Sequence, residues 1–550
     1  MNNKDEEKLC KQCNDTFSIS ENDYLFYQKI SPKIGEQIFS IPTPTLCPTC
    51  RSQRRLAYRN DRSLYKTQCH KTKKSIISMY NPEKELIIYD QKERWKDEWD
   101  PFQYGKEIDF NRSFFEQWYE LKKIVPRFNL FNLDTENCEY VNYAPHCKNC
   151  YLLFGSWLNE SCFFSQTLNE CKNCLDSLFL DKSEFCYENI DCNNNYEGVN
   201  CQNCNNLLSS YFCFDCKNCQ NCIGCFNLQN KNYHIFNKPV SKEEFENLKL
   251  KMGSYQYFQE FKEKSQKYIR ENAIFLAFVG FNNENVSGNL IFNSKNAKYC
   301  FSVYNSENVA FCARMLESKD VYDFDGGGKS ELLYENMSND FSYQCMGCTT
   351  CEHLNNAYYC DLCFNSEHLF GCVGLKNNKK YCILNKQYSK EDYEEIVPKI
   401  IRKMMEDKEW GEFPKISQSP FEYKETMAQE YFPIKSNDLK NNMSLQEVQR
   451  QIPDNIKDIQ DDICDKVLQC EITGKSYKII PQELEFYKKM NLPIPRKHPD
   501  QRHYERMQLR NPRKLWNGNC NKCNKWITSS FDPSRIEKIY CEECYLKEVQ

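Results

Sequence analysis

From 138 to 228, and again from 288 to 375, every third residue is small or apolar, and the two residues between carry the charges and nearly all the rings. The register covers 61 positions without one Asp, Glu, Lys or Arg, where a chain that is 27% charged would place about 16 by chance. Phe324 is its only aromatic. Longer columns run through it. Cys138, Cys150, Cys162, Cys174 and Cys186 are spaced by twelve, as are Cys192, Cys204 and Cys216, and Cys348, Cys360 and Cys372. Ser294, Ser306, Ser318, Ser330 and Ser342 form another column. Asn194, Asn206, Asn218 and Asn230 form one off the inward register, where Asn suits a repeated corner. The pattern predicts two blocks of a narrow β-solenoid, twelve residues per coil, with coils stacked about 4.8 Å apart. Small residues point in; charges and rings point out. In pitch this is similar to the twelve-residue β-helices of insect antifreeze proteins, but their T-C-T ranks are absent and their function is not implied.

The two blocks end alike. CFNLQNKNYHIFNKPVSKEEFENL begins at Cys225, and CVGLKNNKKYCILNKQYSKEDYEEI, one residue longer, begins at Cys372. Ser241 with Glu244, and Ser389 with Asp392, predict capped helices, the second cap weaker because Asp is shorter. Each helix is expected to cover the open β edge of its block.

Both termini carry cysteine pairs at metal-ligand spacing. Cys10 and Cys13 are followed by Cys47 and Cys50, the second pair opening a predicted helix in CPTCRSQRRLAYRN. Two C-x2-C pairs supply the four soft ligands of tetrahedral zinc, and the order of knuckle, middle segment and helix is that of a treble clef. The C-terminal segment repeats the module. CEITGKSYKIIPQELEFYKKM parallels CKQCNDTFSISENDYLFYQKI, and HPDQRHYERMQLRNPRKLWNGNC parallels CPTCRSQRRLAYRNDRSLYKTQC. The ligands differ in complementary ways. The N-terminal copy keeps Cys10, Cys13, Cys47 and Cys50, while its downstream set has Cys69 with Thr72, Asp90 and Glu93. The C-terminal copy keeps Cys520, Cys523, Cys541 and Cys544, while its upstream set has Cys470 and His498 with Thr473 and Gln501. About two Zn2+ per chain are expected; a third at Cys470 and His498 with Cys464 is the alternative.

The expected fold is mostly β with flanking helices: two solenoid blocks with capping helices between two diverged treble-clef-like zinc modules. The expected divisions are 1–95, N-terminal zinc module; 96–131, helical linker; 132–238, first block; 239–285, helical insert; 286–387, second block; 388–459, helix and linker; and 460–550, C-terminal zinc module.

Composition narrows the function. The chain has 550 residues and 35 cysteines, an odd number. Length, the absence of a secretory signal and the C-x2-C pairs favour reduced thiols and zinc in a cytoplasmic protein over a disulfide scaffold. Of the cysteines, 23 lie on the inward register, where free Cys acts as a small hydrophobe. Disulfide ladders remain the alternative there. An iron–sulfur run lacks its x3 step and its Pro. A mean hydropathy of -0.78 argues against membrane spans.

The net charge of -4 makes no global case for nucleic acid. Locally, Arg51, Arg55, Arg59, Arg62 and Lys66 lie near one helix face, with Arg502, Arg506, Arg510, Arg513 and Lys514 as counterparts. They either grip phosphates or pair with internal acids. Seven scattered His and the absence of HExxH, GxSxG or a phosphate loop argue against an enzyme and against a small-molecule substrate. FDGGGKS at 324–330 lacks phosphate-loop spacing and reads as a flexible coil corner. The rings at Tyr140, Tyr143, Phe154, Trp157, Phe163, Phe164, Tyr211 and Phe212 stand off the inward register, ready for internal packing or for a partner.

CPTCRSQRRLAYRNDRSLYK, WDPFQYGKEIDF with FFEQWYELK, the C-K-N-C-Y block and LRNPRKLW followed by YCEEC resemble an uncharacterised family of cysteine-rich zinc-finger proteins from uncultivated small-genome bacteria. The resemblance implies the architecture and a cytoplasmic location, and no activity. The expected function is a non-enzymatic zinc-binding scaffold with a protein partner; the rival is an RNA- or DNA-binding protein using the arginine-rich modules.

Overall fold

The computed structural model describes residues 5–434 and 452–549. The expected linker within 388–459 lies partly outside them. The chain is mostly β with some helices, and its strands gather into parallel sheets over the two repeat blocks. No helix among the described residues is long and apolar enough to cross a membrane.

Pairing follows the sequence period. In the first block Gln166 pairs with Leu178 and Leu178 with Ile190, in parallel. In the second, Lys295, Glu307, Lys319, Glu331 and Tyr343 pair in succession, again in parallel. The second block departs from the twelve-residue step at both ends. Near its start the register shifts between Val286 and Gly288; Gly288 has φ +141°, and a Cβ there would lie 1.8 Å from the Cys300 carbonyl oxygen. At its end the extra residue puts Glu367 opposite Lys380.

The backbone explains the period of three. Almost every third residue is left-handed, with φ of +52° at Asn194, +56° at Asn206, +52° at Asn218 and +52° at Asn230. That conformation costs an L-residue about 1–2 kcal/mol, and Asn bears it best because its amide bonds locally. Stacked amides add to this: Asn206 donates to Asn218 at 2.9 Å, and Asn296 to Asn308 at 2.9 Å. The inward residues between these corners form two continuous cores. All 35 cysteines are unbridged. Inward thiols reach backbone carbonyls, Cys162 lying 3.4 Å from the Glu160 oxygen. In the serine column the Ser306 hydroxyl donates to Tyr304 O (2.9 Å) and accepts from the Ser318 N–H (3.1 Å). A buried hydroxyl is thereby satisfied on both counts.

One outer column of each block is apolar and covered. Phe163, Leu175, Tyr187, Val199, Tyr211 and Ile223 pack against Phe258 and Phe261 of the helix Tyr255–Asn272 and against the helix Pro481–Met490. Tyr322, Tyr334, Met346, Tyr358 and Phe370 pack against the helices Glu21–Ile30, Phe114–Ile124 and Lys390–Glu406. Among the rings singled out from sequence, Tyr143, Phe154, Phe163, Phe164, Tyr211 and Phe212 are buried, whereas Tyr140 and Trp157 stay exposed. Another column remains solvated as a charge ladder, with Lys148–Glu136 at 3.3 Å and Lys172–Glu160 at 3.4 Å.

The block ends are closed differently from expectation. The edge strands Asn232–Ile235 and Lys380–Ile383 are each paired by an antiparallel two-residue strand, Lys238–Pro239 and Lys386–Gln387. The following helices pack beside the last strands through Phe245 and Tyr393. Backbone pairing satisfies an open edge better than a helix side can. Ser241 and Glu244 make a full capping box; Ser389 accepts from the Asp392 N–H at 3.0 Å without the reciprocal bond, as the shorter acid predicts. The glycines of 324–330 are no flexible corner: they continue the strand Lys319–Gly328, and Gly326 makes room for the Arg59 guanidinium.

Candidate metal centres

Four hairpins share one local design. In each, the chain leaves a strand at a cysteine, turns through a left-handed residue and returns. Cys10 N–H bonds Asp15 O (2.9 Å), with Asn14 at φ +62°. Cys69 bonds Lys74, Cys470 bonds Lys475 and Cys520 bonds Lys525 in the same way, with Lys73, Gly474 and Asn524 left-handed. The helices that follow supply the opposite wall.

Two of the four hold complete ligand sets. Cys10, Cys13, Cys47 and Cys50 offer sulfurs all within 4.8 Å of one another, and so do Cys520, Cys523, Cys541 and Cys544. Cys13 and Cys47 sulfurs lie 3.7 Å apart, as do those of Cys523 and Cys541. Zinc bonded at about 2.3 Å to four thiolates spaces neighbouring sulfurs by about 3.8 Å, so both sets fit it. Cys47 caps the helix Pro48–Leu56, and Cys50 sits in its first turn. The Cys47 N–H donates to Cys10 Sγ at 3.2 Å, and the Cys541 N–H to Cys520 Sγ at 3.3 Å. Burial raises the Cys10 thiol, but the N–H groups of Cys13, Cys47 and Gln12 outweigh it and bring it down to about 6. At Cys520 burial is likewise outweighed by the N–H groups of Cys523, Cys541 and Lys522, again to about 6. Burial pushes their partners the other way, Cys47 up to about 11 and Cys544 up to about 12. The two sites are compatible with two zinc ions per chain, and a four-thiolate site is of the closed, structural type.

The other two hairpins keep the backbone without the ligands. The Thr72 and Asp90 N–H groups donate to Cys69 Sγ at 3.5 and 3.2 Å. Glu93 is occupied by Lys71 and Lys96. The Thr473 N–H donates to Cys470 Sγ at 3.5 Å, and His498 caps the helix Pro499–Gln508 with its ring. Among the described residues the third set with Cys464 does not come together as a ligand group.

The arginine stripes face inward. Arg51 is 1% exposed and Arg55 0%. Arg51 donates to Asp323 at 2.9 Å, and Arg55 to Asp323 and Asp325, both at 3.0 Å. Arg59 holds Asp61 at 2.7 Å and also bonds Ser338. At the other end Arg502 and Arg506 hold Asp176, Arg510 holds Asp191 at 2.8 Å, and Arg513 reaches Asp325 at 3.1 Å. Arg62 lies over the Phe154 ring, within 3.9 Å of Glu430. Of the basic residues picked out from sequence, Lys66 and Lys514 are exposed. The acidic partners were missed. Their signal was available: Asp176 and Asp323 stand at the same distance before Cys225 and Cys372.

No family model matches the chain, and no curated protein resembles it. What fits the expected zinc-finger character is the pair of four-cysteine centres.

Proposed function

We propose that this is a non-catalytic, zinc-stabilised scaffold: two β-solenoid blocks of twelve-residue coils, clasped by treble-clef-like modules and presenting their solvated faces to a protein partner. The observation that carries the reading is how the metal centres are used. The N-terminal four-cysteine site anchors the helix Pro48–Leu56, whose arginines are committed to buried aspartates of the second repeat block. Zinc there orders a docking helix and keeps no position open for water. The solenoid reading rests on the twelve-residue parallel register together with the left-handed residue at every third position. A groove of about 570 Å³ between the helices Lys242–Lys251 and Tyr255–Asn272 is lined by Phe236, Leu248, Phe261 and charged residues, with no His, Cys or Ser. The rival reading, phosphate held by the arginine stripes, finds those guanidinium groups already paired in the interior. Elemental analysis with thiol titration tests the proposal. Two zincs per chain are expected, with the repeat thiols masked until the protein is unfolded. Zinc-free reduced protein, or repeat thiols that react freely in the native state, would refute it.

A further inference from the structure

The strand pair Trp516–Asn519 and Trp526–Ser529 carries the exposed half of the C-terminal zinc centre. It is braced from behind: Ser529 and Ser530 are buried, and Asn289 of the strand Glu284–Phe292 donates to Ser530 at 3.1 Å. Its outer side presents Asn517, Asn519, Trp526 and Thr528 to solvent. Trp526 is 66% exposed. An indole left open on a braced hairpin is a large apolar surface that the fold itself does not use.

The sister hairpins show that the fold does not need it. Trp526 pairs across the hairpin with the residue just before the knuckle cysteine. The residues in that place elsewhere are Thr16, Ser75 and Ser476. The other zinc hairpin also differs in charge, with Glu6, Glu7 and Asp15 around its knuckle. Around Trp526 the sequence from 506 to 531 contains no Asp or Glu. Its arginines turn inward, but Lys514 and Lys525 are exposed and form no ion pair among the described residues. Lys514 lies 5.1 Å from the Trp516 ring. Gly518 has no heavy atom within 4 Å of where a Cβ would sit, so nothing in this chain crowds that strand.

We infer that this face binds single-stranded nucleic acid. A base stacks on Trp526, the phosphates beside it meet Lys514 and Lys525, and the amides of Asn517 and Asn519 stand where base edges lie. Stacking on an exposed aromatic with flanking lysines is the general means of holding an unpaired strand, and every base has a face to stack. The zinc centre holds the platform rigid.

The test is fluorescence anisotropy of a labelled oligouridylate of about twelve nucleotides against the zinc-loaded full chain. Binding is expected, weakening with salt at a log–log slope near about −1.4 for two phosphate contacts. Trp526→Ala should weaken it about tenfold or more, and Trp526→Phe should restore most of the loss. Lys514→Glu with Lys525→Glu should abolish it. Trp526 and both lysines are exposed, so these variants keep the fold, and their metal content verifies this. No binding by the wild-type chain at low salt would overturn the inference, as would equal binding by Trp526→Ala. Capture of a protein through Trp526 without any oligonucleotide binding would make the face a protein interface and overturn it too.

Discussion

The two terminal modules dock crosswise, each on the repeat block farther along the chain from it, and they do so through the same contacts. Arg51 holds Asp323 and stacks over Phe311; Arg502 holds Asp176 and stacks over Phe164. Arg55 reaches the Phe311 carbonyl and Arg506 that of Phe164. Tyr27 meets Tyr334 edge-on at 5.3 Å, and Tyr487 meets Tyr187 at 5.6 Å. Counted back from Cys372 and Cys225, each block residue of one set has its counterpart in the other. The metal has not followed the docking. In the N-terminal module the four-cysteine site sits at the docking helix itself, with Cys47 at its N-cap; in the C-terminal module that place is taken by His498, and the four-cysteine site lies in the downstream hairpin. An interface of buried, doubly bonded ion pairs therefore stands with or without a metal at its helix.

Metal ligands are where the comparison breaks most visibly. Cys50→Ser and Cys544→Ser should each lower bound zinc from two to one, with linked folding energy of order 10 kcal/mol at a structural site. Hydrogen exchange should then rise across Pro48–Leu56 in the first variant, and across the hairpin 516–529 in the second, with Pro499–Gln508 left protected. Cys69→Ser should leave the zinc content unchanged. If Cys544→Ser releases Pro499–Gln508 as readily, the claim that docking is independent of metal there is wrong.

The aspartates come next. Asp323→Ala leaves Arg51 buried without a carboxylate and Arg55 with Asp325 alone, and Asp176→Ala leaves Arg506 without one and Arg502 with Glu483 alone, each at a cost of about 3–5 kcal/mol. Chemical denaturation followed at each module should show similar losses at opposite ends of the chain. A loss confined to one variant would mean that the two interfaces only look alike.

The smallest effect is a pH dependence. Burial pushes the Glu483 carboxyl up to about 7, although Arg502 opposes it and Tyr487 donates to it, with Asp176 nearby adding to the rise. The ordinary value in the unfolded chain is about 4.3. The folded protein thus keeps a proton that the unfolded chain has released. This contribution is full below about pH 4 and is lost as pH rises through about 7, by of order 3 kcal/mol at most. Glu483→Gln should flatten that part of the stability profile. The N-terminal module places Asp23 at the matching helix position, bonded to Ser20 and Lys298 instead of an arginine.

Much of this was legible from residue order. The inward register, the Asn corners and both four-cysteine sets depend on local rules: a backbone that turns every third residue admits only small inward side chains, and thiolates at C-x2-C spacing meet on one side of an ion. Those rules act within one coil or one hairpin, so a linear pattern records them. Tertiary structure alone decided what the arginines do. Arg51 and Arg55 have the spacing of a phosphate-binding face, and nothing beside them in the chain says otherwise. Their partners Asp323 and Asp325 lie in the second block, and a desolvated guanidinium is stable only where such carboxylates wait for it. The same holds for Trp526. Its place in a strand is local, but its exposure depends on which side of the hairpin the second block braces.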